Sequence, residues 1–149
     1  MLRRLRDLLS ATPSGHHNRD ELRLAAAALL AEAARLDGHV APSERAAMRR
    51  VLAERFALDD KEAAALVEEG EAAAEDSTQM FAFTRVINRD WPADERAALF
   101  EMIYEVIYAD DALHDLEHNL MRRLGELIYL PDRDRNEARQ RVQRRLQTG

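Results

Sequence analysis

The chain has 149 residues, 46% hydrophobic and only 5% aromatic, with Ala and Leu dominating the apolar set. That bounds it to one core, or two small halves sharing one, and favours packed helices over sheets, whose strands want β-branched and aromatic residues. A net charge of −6 argues against capture of nucleic acid, and the absence of cysteine excludes disulfides, thiolate zinc sites and cysteine nucleophiles, with a cytoplasmic location as the expectation.

The opening decad MLRRLRDLLS reads as a short amphipathic helix; its leucines are interrupted by Arg3, Arg4, Arg6 and Asp7, so it does not form the apolar stretch of a signal peptide. No segment approaches the roughly 20 apolar residues that span a bilayer. Ala11–Asn18 (ATPSGHHN) reads as a linker carrying His16 and His17, which makes 1–18 an N-terminal segment and 19–149 the domain. Asn18 with Glu21 fits a capping box, and Leu22, Ala25, Ala26, Leu29, Leu30, Ala33 and Leu36 then recur at helical spacing as a buried stripe.

Asp37-Gly38 closes that helix, and Pro42 suits the first turn of the next, where its missing N–H would be unpaired anyway. Asp59 and Glu62 form a second capping box ahead of Ala63–Glu75, and Asp76 with Gln79 starts a helix running to about Asn88. Pro92 opens a helix through Leu99, Met102, Ile103, Val106 and Ile107; another spans about Asp115–Leu127, and Pro131 begins a last, Arg-rich one. Trp91, Tyr104, Tyr108 and Tyr129 are expected to fill or rim the core. The expected fold is all-α, a single compact domain of about seven to eight helices.

Residues 32–50 and 105–123 match at a fixed offset of 73: Glu32 with Glu105, Asp37 with Asp110, Glu44 with Glu117, and Met48-Arg49-Arg50 with Met121-Arg122-Arg123. Two copies, over about 22–75 and 95–147, suggest an internal duplication and two pseudo-symmetric halves. Each copy carries Glu-x4-Asp-x6-Glu. On an unbroken helix the first two acids would diverge by about 140°; with the Asp in a turn, the chain bends and the carboxylates can converge. Oxygen ligands from a turn and its flanking helices suit a hard cation such as calcium, magnesium or manganese. Asp111, where the first copy has Gly38, adds a further carboxylate. The turn lacks the alternating ligands of an EF-hand loop. The same acids also admit a structural reading, in which Glu44 and Glu117 complement helix N-termini and Glu32 and Glu105 pair with arginines.

The segments LLAEAARLDGHVAPSERAAMRRVL (29–52) and EVIYADDALHDLEHNLMRRL (105–124) resemble the tellurite-resistance protein B (TerB-like) family, with a looser likeness over about 22–145. The resemblance implies an all-helical fold of two halves and a divalent-metal site of acidic residues. It also implies a link to metal or chemical stress near the inner face of the membrane. Carried onto matching positions, the metal candidates are Glu32, Asp37, Glu44, Glu105, Asp110 and Glu117, with Asp111 additional.

His114-Asp115-Leu116-Glu117-His118 matches the H-x-x-E-H signature of inverted zinc peptidases, but Glu117 has a counterpart in Glu44, which no histidines flank. The six arginines Arg133, Arg135, Arg139, Arg141, Arg144 and Arg145 lack the interleaved aromatics of a nucleic-acid surface, so pairing with the protein's own acids, or simple solvation, is expected. The leading expectation is a non-enzymatic interaction domain that binds a divalent cation (calcium, manganese, magnesium or zinc). It would work with a protein partner, membrane-associated in one version, or as a homo-oligomer. A metal-free helical adaptor is the alternative and a zinc hydrolase the remote one.

Overall fold

The computed structural model describes residues 15–35, 40–76, 80–109 and 115–148, the side chains of 15–19, 115–118 and 148 excepted. Seven α-helices account for nearly all of them: α1 Gly15–Ala34, α2 Pro42–Phe56, α3 Asp60–Ala74, α4 Met80–Asp90, α5 Ala93–Tyr108, α6 Asp115–Leu127 and α7 Asp132–Thr148. No strand occurs among the described residues. The all-α expectation therefore holds. The opening decad lies outside the described residues.

Helix α1 is the axis of the molecule. It packs on α2, α3, α4, α5 and α6, and every residue from Ala25 to Ala31 is at most 1% exposed. The periodicity predicts a single buried stripe there; instead the helix is enclosed on all sides, which an Ala-rich run permits because it carries no polar face that needs water. Small side chains also let neighbours approach. A Cβ on Gly70 of α3 would fall 2.7 Å from the backbone carbon of Ala27, so this glycine sets the closest approach of α3 to α1.

Helix α1 also starts earlier than the sequence suggests. It begins at Gly15, so His16 and His17 lie in the helix rather than in a linker, and Asn18 is an interior residue rather than a cap. Pro13 is the last residue that cannot sit inside a helix; between it and Asn18 nothing forbids one, and packing of the following turns carries the helix back. Glu21 meets Arg89 of α4 at 2.9 Å.

Other ends follow the local chemistry closely. The Asp59 carboxylate accepts from the Glu62 N–H at 2.8 Å while Glu62 accepts from the Asp59 N–H at 3.1 Å, the reciprocal box expected. Pro42 and Pro92 sit at the starts of α2 and α5. Helices α2 and α6 both close with a six-to-one bond, Leu58 N–H to Ala53 O at 3.0 Å and Leu130 N–H to Gly125 O at 2.7 Å. The left-handed residue in each is not glycine but Ala57 (φ 54°) and Tyr129 (φ 56°).

Around α1 the core is completed by Met48, Val51 and Leu52 of α2, Val67 of α3 and Ile87 of α4. Leu99, Phe100, Ile103 and Ile107 of α5, with Leu124 of α6 and Val142 of α7, extend it on the other side. Trp91 is buried, stacked on Phe56 at 6.2 Å with the Arg55 guanidinium 5.2 Å from its ring centroid. Tyr104 is buried and Tyr108 half-buried, as expected. Tyr129 is not: it is 72% exposed, because the left-handed turn ending α6 gives the inward position to Leu130.

Candidate functional site

Three of the six carboxylates singled out from the sequence can be placed. Glu32 lies in the last turns of α1, half-buried, and it makes no hydrogen bond or ion pair among the described residues. Glu44 is in the first turn of α2 and only 7% exposed; its Oε1 accepts the N–H of Ala41 at 3.0 Å. These two acids therefore stand on either side, along the chain, of the segment that joins α1 to α2. Asp37 in that segment lies outside the described residues, as do Asp110, Asp111 and His114 and the side chains of Glu117 and His118. The H-x-x-E-H signature thus falls outside them too. Among the described residues no three His, Asp or Glu side chains come together as a metal-binding group.

The N–H acceptor role of Glu44 has a simple local cause. Ala41, the residue preceding α2, has no side-chain acceptor to cap the helix, and Pro42 removes one of the exposed donors. The glutamate three residues on reaches back and supplies half of a capping box. A carboxylate at a helix N-terminus is also favoured by the helix dipole, by about 0.3–1 kcal/mol.

Glu105, the counterpart of Glu32, is in a different electrostatic setting. Its carboxylate meets Arg145 of α7 at 2.9 Å and Arg50 of α2 at 3.4 Å. One turn earlier on α5, Glu101 meets Arg145 at 2.6 Å and Arg141 at 3.2 Å. Hydrogen bonding to Glu101 above all, then to Glu105, raises the Arg145 pKa above its usual value despite partial burial. Four of the six α7 arginines thus pair with the protein's own acids: Arg133 with Glu137 and Arg135 with Asp132 within the helix, Arg141 and Arg145 across to α5.

Glu101, Arg50, Arg141 and Arg145 were missed as a cluster by sequence reasoning. A signal was present, since Glu101/Glu105 and Arg141/Arg145 each stand one helical turn apart on helices separated by one other.

The family model for tellurite resistance protein TerB matches residues 23–140, which run from α1 into α7 and include both acidic segments. The chain belongs to the TerB family. No curated protein and no solved structure compared with it gave a match. Membership links this TerB domain to tellurite resistance. Among its described residues no helix is long and apolar enough to cross a membrane.

Proposed function

We propose that this TerB domain is a non-enzymatic, cytoplasmic interaction module whose acidic turn between α1 and α2 takes up a divalent cation and thereby tunes contact with a protein partner. The observation that carries this reading is Glu32, half-buried and without a charge partner among the described residues, twelve positions before the buried Glu44. Where Glu32, Asp37 and Glu44 converge, their carboxylates would repel one another, and a bound cation would relieve that repulsion. Hard oxygen donors favour calcium, manganese or magnesium over softer ions, with zinc a borderline ion for such a ligand set. Asp110, Asp111 and Glu117 are the counterparts in the second acidic segment, where Glu105 is already committed to arginines.

Ion binding to the folded state alone stabilises it in proportion to ligand concentration over Kd. Chelator-treated protein is therefore expected to melt at higher temperature with calcium or manganese, and Asp37→Asn is expected to abolish that rise. An unchanged melting temperature with every divalent ion would end the reading and leave the metal-free helical adaptor, in which Glu44 serves as a cap and Glu105 as an ion-pair partner.

A further inference from the structure

The two acidic segments agree in sequence, yet their surroundings do not. At the offset of 73 that relates them, Ala28 stands where α5 has Glu101, Glu68 where α7 has Arg141, and Ala72 where α7 has Arg145. Helix α3 packs on α1, and α7 packs on α5. The helix beside Glu105 thus brings arginines, while the corresponding helix beside Glu32 brings an alanine and a glutamate. Arg50 has a counterpart in Arg123, but the Arg50 guanidinium meets Glu105 at 3.4 Å whereas no bond joins Arg123 to Glu32 among the described residues.

Counted as charges, the α5 cluster holds Glu101 and Glu105 against Arg50, Arg141 and Arg145. Both carboxylates are thus already matched by guanidinium groups. A divalent ion approaching them must displace those groups and break charge-assisted hydrogen bonds as short as 2.6 Å. Glu32 faces no such cost.

We propose that Arg50 and Arg145 act as built-in counter-ions that close the Glu101–Glu105 face to divalent cations, so that the two halves of the domain have diverged into one cation-accepting and one arginine-filled corner. This deepens the cation-binding reading and rests on it for the chemistry of the corners. Removing the two guanidiniums leaves two carboxylates one helical turn apart on α5, a bidentate arrangement for a hard ion.

The test is manganese uptake by chelator-treated protein, read from loss of the free-ion electron paramagnetic resonance signal. The double variant Arg50→Gln/Arg145→Gln is expected to hold one more manganese ion per chain than the wild type, and adding Glu105→Gln is expected to remove that gain. Glu105→Gln alone, in the otherwise unchanged chain, is expected to leave uptake as it was, which keeps the proposal exposed even if the double variant folds poorly. Equal uptake by wild type and double variant, or lower uptake in Glu105→Gln alone, would overturn it. A wild type that takes up none beside a double variant that takes up one would support this proposal while counting against the cation reading of Glu32 and Glu44.

Discussion

Replacing Glu44 by Ala removes the acceptor for the Ala41 N–H, and the expected cost is about 1 kcal/mol, the usual value of a lost cap. Glu44→Gln keeps an oxygen in the same place and is expected to retain most of that stability while losing the charge. Urea denaturation in chelator distinguishes the two. Equal losses would mean that the charge, rather than the acceptor, holds this end of α2. Tyr104 offers a second test at this scale. Burial pushes its phenol up to about 12, against the opposing influence of Arg135 and Arg139 nearby. The unfolded chain would release that proton near pH 10 and the folded one only near 12, so the folded state binds more protons between these values and stability falls as pH rises through them. Tyr104→Phe is expected to flatten this part of the stability profile. A profile that keeps its alkaline slope in the variant would assign the slope to another group.

Among the elements, the contact of α1 with α3 is the one most sensitive to a single atom. A methyl on Gly70 would lie 2.7–2.8 Å from backbone and Cβ atoms of Ala27, in a helix enclosed on every side and unable to step back. Overpacking of this kind costs about 1–3 kcal/mol, and the better helix propensity of alanine returns about 1 kcal/mol. Gly70→Ala is expected to lower the urea midpoint on balance, whereas a neutral or raised midpoint would show that the helices separate freely. Most helix limits were legible because they rest on local chemistry: Pro42, Pro92 and the Asp59–Glu62 box act within one turn. The start of α1 was not, because Gly15–Asn18 has turn-like composition and is made helical by the helix it continues. Nor was the enclosure of α1, since a run of alanines and leucines from Ala25 to Ala31 has no polar side to show which faces are covered. Tyr129 misled for a related reason. Its aromatic character predicts burial, while its position in a left-handed turn decides exposure.

For the whole molecule, the match between the two acidic segments in the sequence conceals a difference in their surroundings. Glu32 and Glu105 look alike along the chain, and only the packing of α7 and α2 against α5 shows that Glu105 is neutralised by Arg50 and Arg145. The contrast lies in residues outside the matching motif, Ala72 against Arg145 and Ala28 against Glu101, so a motif comparison could not reveal it. We propose, on this contrast, one corner that takes a cation and one that the domain's own arginines hold shut. The most direct test is an amide-resolved NMR titration of chelator-treated protein with substoichiometric manganese, whose paramagnetism broadens the signals of nearby amides. Broadening is expected first within residues 32–44. Broadening centred on Glu101 and Glu105, or none at any amide, would contradict the account.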